Sequence, residues 1–420
     1  MEKIIRYAKK IIPTPVFTAL QPVYHYFLAI FGTLYCNFPS RKIFVIGVTG
    51  TKGKSSTTEI VNAILESAGK KTAMVNGIRF KVGNEETRNK LKMTMPGRIL
   101  IQSYLKKAVT ASCDYFILEI TSEGAKQFRH KFINLNTLIF TNISPEHIES
   151  HGSYEKYLDA KLSIARELKN SCKKNKTIIA NTDDKEGEKF LAVKADKKIP
   201  FSLQDITSYE LKQNGIDFVY KNENYHSPLL GKFNLYNILA AITFAQSIGI
   251  SNKDIKEGLQ KLSGIRGRVE KVQGGQEFDV VVDYAHTADS LRQFYGAFEG
   301  KKRICLLGST GGGRDKWKRP EMGEVADTYC DTIILTNEDP YDEDPMQIIN
   351  EVAEGIKKHK PIIILDRRAA INRAIKEAKA GDAVLITGKG TDPYIMEENG
   401  KRTPWDDATV AKEELEKLNF

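Results

Sequence analysis

Short apolar runs, each closed by glycine, aspartate or other polar residues, recur along most of the chain. Between them lie longer segments whose apolar positions return every three to four residues. "KIFVIGV" (42–48) is a β-rich run bounded by glycine, and "SSTTEIVNAILESAG" (55–69) has helical spacing and stops at Gly69. Further strand-like runs are "YFILEI" (115–120), "NTLIFTNI" (136–143) and "KTIIAN" (176–181), separated by helical stretches. This alternation predicts an α/β fold with a mostly parallel sheet covered by helices on both faces. "NILAAITFAQSIGI" (237–250) reads as a buried helix and "NKDIKEGLQKL" (252–262) as an amphipathic one. A second strand–helix series begins near Gly267, with strands in "FDVVVDYA", "RICLLGS", "DTIILTNE", "PIIILD" and "AVLITGKG". Their polar or glycine-containing ends fall where an open α/β sheet carries its ligand-binding loops.

A length of 420 residues supports two or three domains, each with its own core, and 41% hydrophobic with 28% charged residues is an ordinary globular composition. The net charge of +10 is spread without a dominant basic block, so it reads as a solvated lysine-rich surface, and no nucleic-acid partner is expected. Five scattered cysteines without a CxxC pair argue against a zinc site or a disulfide framework and fit a reducing cytoplasm. No apolar run reaches the roughly 20 residues needed to cross a bilayer. Pro13, Pro15 and Pro22 interrupt the N-terminus, which lacks a signal-peptide layout, so a cytoplasmic location is expected. Residues 1–40 stand apart: Lys3, Arg6, Lys9 and Lys10 precede the aromatic-rich "VFTALQPVYHYFLAIFGTLY" (16–35). Such a segment either makes peripheral contact with a membrane surface or packs as a helical arm on the next domain.

"GVTGTKGKSSTT" (Gly47–Thr58) sits between a predicted strand and a predicted helix. Gly50 and Gly53 let the backbone curl so that N–H groups, including those around Thr51 and Ser56, face a phosphate. Lys54 can reach the β- and γ-phosphates of ATP, and Ser55 can ligate Mg²⁺. The spacing departs from GxxxxGK[ST], because Gly47 lies one residue too far upstream. "LEITSEG" places Glu119 at the end of a strand, and "TNISPEHIESHGSYEKYLDAK" (141–161) follows with His147 and Lys161. A carboxylate and an imidazole beyond adjacent strand ends could hold Mg²⁺ near a triphosphate. Taken alone, Glu119 reads equally as a structural carboxylate and Lys161 as a surface lysine.

These motifs resemble one family. "TGTKGKSS" is similar to the TGTxGK[ST] nucleotide loop of the Mur ligases and folylpolyglutamate synthetases. Residues 118–161 resemble the pattern EVSSH…TNxxxDHxDxHGxxxxYxxAK of the MurE branch. The resemblance implies a central P-loop-type domain (41–267) followed by a Rossmann-like C-terminal domain (268–420), behind an arm at 1–40. It makes Glu119 and His147 metal ligands and Lys161 a carbamylated lysine whose added carboxylate holds a second Mg²⁺. Glu123 stands where the family has His, and Glu146 where it has Asp. "LLGKFNLYNILAA" resembles GxxNxxNxLAA, which puts Asn234 and Asn237 at the nucleotide; Asn237 alone would read as a helix-capping amide. By the same match Arg268, Asp283, Tyr284, His286 and Thr287 help close the C-terminal domain over ATP.

"LLGSTGGGRDKWKRPEMG" looks like the MurE segment GGDRDxxKRPxM, which makes Arg314 the candidate to grip the incoming amino acid's carboxylate. Family members that add diaminopimelate carry DNPR where this chain has Glu338, Asp339, Pro340 and Tyr341. The lost arginine and the local carboxylates lead us to expect an acidic pocket that takes lysine or another diamino acid rather than diaminopimelate. "GKGTDPY" (Gly388–Tyr394) resembles GKGHExY, with Asp392 in place of Glu. Thr94 in "KMTMPGR", Thr121 and Arg129 resemble muramyl-peptide contacts. Only about 40 residues stand where the family's UDP-holding domain would be. The expectation is therefore that the peptide end of a muramyl-peptide-like acceptor is retained while the UDP grip is lost or rebuilt.

The implied reaction is ATP-dependent amide synthesis in cell-wall building, through an acyl phosphate. Two alternatives remain open at this point. One is a related ligase with a folylpolyglutamate-type or cyanophycin-type acceptor. The other is a non-catalytic nucleotide-binding partner subunit.

Overall fold

The structure is a computed structural model that describes residues 14–146, 148–314 and 316–418. His147 and the basic residues Lys3, Arg6, Lys9 and Lys10 lie outside the described residues. Two compact units emerge. The first comprises residues up to Ser144 with Ser153–Ser202 and Leu239–Ile255; the second comprises Pro145–Gly152, Leu203–Ile238 and Lys256 onward.

In the first unit, helix α1 (Thr14–Tyr35) precedes strand β1 (Phe44–Thr49) and helix α2 (Lys54–Ser67). Strands β2 (Thr72–Val75), β3 (Arg79–Val82) and β4 (Glu85–Arg88) follow, then α3 (Arg98–Thr110), β5 (Tyr115–Glu119), α4 (Ser122–Lys126), β6 (Thr137–Phe140), α5 (Tyr154–Asn170), β7 (Thr177–Asn181) and β8 (Lys197–Phe201). The sheet order is β4-β3-β2-β5-β1-β6-β7-β8, parallel from β2 to β8 and antiparallel at the β2–β3–β4 edge. The strands read as continuous apolar runs because both faces are covered. Val45, Phe116, Leu138 and Ile178 join a core with Leu105 of α3 and Ile164 and Leu168 of α5, while Ile46, Met74, Ile117, Ile139 and Ile179 are buried too. β1 lies between β5 and β6, so the loops after these three strands gather at one edge of the sheet, where such sheets bind ligands. The apolar segment read from 237–250 falls in helix α6 (Phe233–Ser247) up to Ser247, with Ile248–Ile250 beyond its end, and the amphipathic one is α7 (Asn252–Lys261).

The second unit has two further sheets and a short hairpin. β9 (Ile206–Lys212), β10 (Gly215–Tyr220) and β11 (Glu223–Ser227) form an antiparallel sheet. Strands β12 (Glu270–Lys271), β13 (Asp279–Val282), β14 (Arg303–Leu307), β15 (Thr332–Leu335), β16 (Ile362–Ile363) and β17 (Ala383–Ile386) form a six-stranded sheet ordered β12-β13-β17-β14-β15-β16, and only β12 is antiparallel. β18 (Tyr394–Met396) and β19 (Arg402–Pro404) pair as the hairpin. The period-two pleat divides the six-stranded sheet's side chains between two cores. Val281, Cys305, Leu307, Ile333 and Leu385 pack with α8 (Ala288–Gly296), α9 (Lys318–Tyr329) and α10 (Pro345–Ala353). Val280, Val282, Ile304, Leu306, Ile334 and Val384 pack with α11 (Arg367–Glu377) and α12 (Asp407–Glu416).

The arm packs: a Cβ at Gly32 of α1 would lie 3.4 Å from Ile99, and Gln102 of α3 donates to Thr33 at 3.0 Å. The cysteine expectation needs correction. Cys305 on β14 and Cys330 at the end of α9 are disulfide-bonded, with Cα atoms 6.0 Å apart and 25 residues between them. Sheet topology brings these two together; spacing in the sequence could not have signalled it. Among the described residues no helix is long and apolar enough to cross a membrane.

Candidate functional site

The loop after β1 is shaped by glycines that no other residue could replace. Gly50 has φ +152°, and a Cβ there would lie 1.9 Å from Thr141 Oγ1. Gly53 has φ +80° and caps α2, whose first turn carries no acidic residue and no side-chain cap. The N–H groups at the start of α2 therefore point out as an anion site, reinforced by the helix dipole. Hydrogen bonds from β6's following residues hold the loop. Asn142 Oδ1 accepts from Lys52 N at 2.9 Å, and its main-chain carbonyl accepts from Thr51 N at 2.8 Å. Lys54 Nζ donates to Thr51 O at 2.8 Å, which keeps the ammonium beside the loop, where its charge adds to that of the N–H groups.

Carboxylate and hydroxyl meet as the sequence led us to expect. Ser55 Oγ donates to Glu119 Oε2 at 2.8 Å, and Gly77 N donates to the same oxygen at 2.9 Å. Both side chains are buried. These hard oxygens suit Mg²⁺, and Thr94 is close by, since a Cβ on Gly77 would lie 3.4 Å from both Ser55 Oγ and Thr94 Oγ1. Lys161 is fully buried rather than on the surface. Its Nζ donates to Gly50 O at 2.6 Å and lies 4.8 Å from the centre of the Tyr157 ring. Among the described residues no three His, Cys, Asp or Glu converge as a metal cage.

The acceptor-side candidates also fall in this unit. Thr121 Oγ1 caps α4 by accepting from Gly124 N at 3.0 Å. Arg129 donates from Nη2 to Gln127 Oε1 at 2.7 Å and also bonds the Met95 carbonyl.

In the second unit, Asn237 Nδ2 donates to Asn234 Oδ1 at 2.9 Å, and Asn234 Nδ2 to Leu230 O at 2.7 Å; both asparagines are buried. Asp283 is a backbone organiser, accepting from Val269 N at 2.8 Å and Ala285 N at 2.7 Å. The Arg268 guanidinium lies 4.3 Å from the centre of the Tyr284 ring. The Asp392 carboxylate, and then burial, hold the Tyr284 hydroxyl well above its ordinary range, so it stays a neutral donor. His286 shares hydrogen bonds with Tyr284 O at 2.7 Å and Glu146 Oε1 at 3.1 Å, and Thr287 closes a capping box with Ser290 on α8.

The acidic stretch behaves differently from the expected acidic pocket. Glu338 and Asp339 are both buried. Glu338 Oε1 accepts from Thr310 Oγ1 at 2.5 Å, and burial, then the Asp339 carboxylate, raise its pKa. Asp339 Oδ1 accepts from Lys389 Nζ at 2.8 Å and Met396 N at 2.7 Å. Glu343 pairs with Lys316 and Arg319. Asp339 and Glu343 are thus paired with cations inside the unit, whereas Glu338 Oε2 is buried without a hydrogen-bond partner. Pro340 is buried, and Tyr341, at φ +53°, packs beside Gly312. The exposed Arg314 reaches Tyr341: Nη2 is 3.4 Å from its hydroxyl, and the guanidinium is 5.6 Å from the ring centre. Gly388 has φ +103°, and a Cβ there would lie 2.4 Å from Glu338 Oε2.

Four contributors escaped the sequence reading. Tyr157, whose hydroxyl is 2.8 Å from Thr51 Oγ1, sits four residues before Lys161, so helical spacing could have paired them. Lys389 lies inside the quoted "GKGTDPY". Gly77 acts through its backbone N–H and left no readable signal, while the Asn142 side chain meets Lys52 only through the pairing of β1 with β6.

Two family models match: the Mur ligase middle domain over residues 48–245 and the Mur ligase glutamate ligase domain over 267–390. The chain is 36% identical over 402 residues to a UDP-N-acetylmuramoyl-L-alanyl-D-glutamate–2,6-diaminopimelate ligase of Syntrophomonas wolfei subsp. wolfei, spanning 92% of this chain and 81% of that protein. A solved structure of a ligase of the same name superposes with a TM-score of 0.61 at 28% identity, covering 90% of this chain and 79% of that one. A Mycobacterium tuberculosis folylpolyglutamate synthase shares the fold, with a TM-score of 0.68 at 15% identity over 86% of this chain and 92% of that one.

Proposed function

The chain belongs to the Mur ligase family, and from that premise we propose that it is an ATP-dependent amide ligase adding a diamino acid to a muramyl-peptide carboxylate in peptidoglycan synthesis. The observation that carries the reading is the juxtaposition at the start of α2: Ser55 bonded to Glu119, with Lys54 and the buried Lys161 folded back onto the same loop. In this reading residues 41–267 hold ATP and the acceptor, and residues 268–420 supply the amino-acid end.

An acceptor carboxylate oxygen attacks the γ-phosphorus of ATP, and the bond from that phosphorus to the β-bridging oxygen breaks, releasing ADP. The amine of the diamino acid then attacks the acyl carbon; the C–O bond to phosphate breaks, and the amine gives up a proton. Lys54 and the N–H groups of the loop balance the charge gathered on the transferred phosphoryl group. Mg²⁺ bound at Ser55 and Glu119 would supply further charge neutralisation there. We assign His147 as a further ligand and a carbamylated Lys161 as the holder of a second Mg²⁺. The cytoplasm is the compartment this reading calls for, and a peripheral membrane contact through residues 1–40 belongs to it. Thr94, Thr121 and Arg129 are proposed to hold the acceptor, and Arg314 the amino acid's carboxylate. Because Glu338 and Asp339 are buried within the fold, lysine and diaminopimelate are both candidate diamino acids, with Tyr341 where diaminopimelate-adding relatives have arginine.

The test is phosphate release from ATP with UDP-muramyl-dipeptide and each of a panel of diamino acids, with product mass as the readout. Lys54→Ala and Lys161→Ala should each reduce amino-acid-dependent release by at least about 100-fold. Rates near wild type in either variant would refute the assignment.

A further inference from the structure

Helix α1 has two opposite faces, and among the described residues only one of them is packed. His25, Ala29, Gly32, Thr33 and Cys36 follow helical spacing, and the last four of these are buried where the arm packs on α3. On the opposite side Leu20, Val23, Phe27, Phe31 and Leu34 repeat at the same spacing, flanked by Tyr24 and Tyr35. Phe27 is 64% exposed, Phe31 57%, Leu34 57% and Tyr35 70%. A contiguous apolar stripe on a helix already anchored by its other face marks an interaction surface.

The surrounding charge says what it fits. Neither α1 nor α3 contains an aspartate or glutamate. α3 adds the exposed Lys106 and Lys107, and exposed Arg41 and Lys42 follow α1. The sequence before α1 contributes Lys3, Arg6, Lys9 and Lys10 against the single carboxylate Glu2. Among the described residues no helix can span a bilayer, so this one would lie along it. Aromatic and aliphatic side chains inserting at headgroup depth, with lysines and arginines alongside, are what an anionic lipid surface binds. We propose that the exposed face of α1, with the lysines of α3, docks the protein onto anionic membrane lipid. This names the face and the lipid charge of the peripheral contact attributed above to residues 1–40, and it rests on that part of the reading alone.

The test is co-sedimentation of the full chain with vesicles of phosphatidylcholine alone or with roughly one third phosphatidylglycerol. Wild type should bind the anionic vesicles and bind neutral ones at least about tenfold more weakly, with the difference shrinking as salt rises. A Phe27→Ser/Phe31→Ser/Leu34→Ser variant should lose at least about 30-fold of the anionic-vesicle binding. Lys106→Glu/Lys107→Glu should lose the preference for anionic lipid while keeping the apolar stripe. Amino-acid-dependent phosphate release with a water-soluble acceptor should be unchanged in the serine variant, which also shows that it is folded. No binding to anionic vesicles, binding that the serine variant leaves intact, or a concentration-dependent dimer that the serine variant abolishes would each overturn the proposal. Absence of phosphate release in the wild type would instead sink the ligase reading and leave the docking result standing.

Discussion

Lys389 and Asp339 form an ion pair with almost no solvent, and breaking it is a direct test of how the second unit holds its loops. The ammonium donates to Asp339 Oδ1 at 2.8 Å and to Tyr394 O at 2.6 Å, and Asp392 Oδ2 lies 3.5 Å away. The paired side chains are 0% and 3% exposed. Burial opposes the charge on Lys389, but the carboxylates of Asp392, Asp339 and Glu338 outweigh it and raise its pKa. Lys389→Met removes the cation that Asp339 Oδ1 accepts from and leaves a buried carboxylate without its partner ammonium, a loss of about 3–5 kcal/mol. The double variant Lys389→Met/Asp339→Asn carries no orphaned charge and keeps an acceptor for Met396. It should be less destabilised than the sum of the single changes by about 2 kcal/mol or more. Both tryptophans, Trp317 and Trp405, belong to the second unit, so their fluorescence during urea unfolding at pH 7 reads the relevant part of the molecule. The pair also links Asp339 to the hairpin whose Met396 carbonyl accepts from Tyr341 N at 3.0 Å. The single variant should therefore raise the KM for the amino acid as well. A Lys389→Met protein within about 1 kcal/mol of wild type, or a double variant worse than the sum, would refute this account.

Three further outcomes follow from the geometry. Gly388→Ala forces a side chain at φ +103° into Glu338 Oε2 and should lower stability by about 1–3 kcal/mol, with a fall in kcat, measured by the same unfolding and by phosphate release. Tyr157→Phe deletes the hydroxyl 2.8 Å from Thr51 while keeping the ring against Lys161. It should weaken ATP by a few-fold in KM, about 1 kcal/mol, with little change in overall unfolding. Burial, then the Lys131 charge, push the His130 pKa down to about 3 from 6.5, and neither ring nitrogen has a hydrogen-bond partner. Because the folded value is the lower one, this stability is present above pH 6.5 and is lost as pH falls toward 3. By pH 4.5 the loss should be about 3 kcal/mol, and His130→Phe should escape it when urea unfolding is compared at pH 7 and 4.5.

The parts of the fold legible in the sequence were those whose residues answer to one local rule. Parallel strands buried on both faces must be apolar throughout, so "YFILEI" and "AVLITGKG" announced β5 and β17. The β2–β3–β4 edge and the β9–β11 sheet were missed because their outer strands are half-exposed and mixed in character. "RFKV" and the "YELK" of "ITSYELK" do alternate polar and apolar residues, but over only four positions each, too short a signal to stand out from a loop.

The site divides along the same line. The positions of Gly50, Gly53, Ser55 and Glu119 were readable because a strand–loop–helix turn of this kind needs glycine torsions in the loop and sets the strand-end and helix-start side chains at fixed places. The acidic run at 338–343 is divided in the structure, with Glu338 and Asp339 buried and Asp342 exposed, because charge in a sequence does not say which way a carboxylate points. Glu338 and Asp339 turn inward only because Thr310, at the end of β14, and Lys389, after β17, come beside them in the folded sheet. Specificity that rests on such long-range pairing has no local signature. In the proposed reading the choice of amino acid would fall to Arg314 and Tyr341, whose mutual contact an incoming carboxylate would have to displace or share.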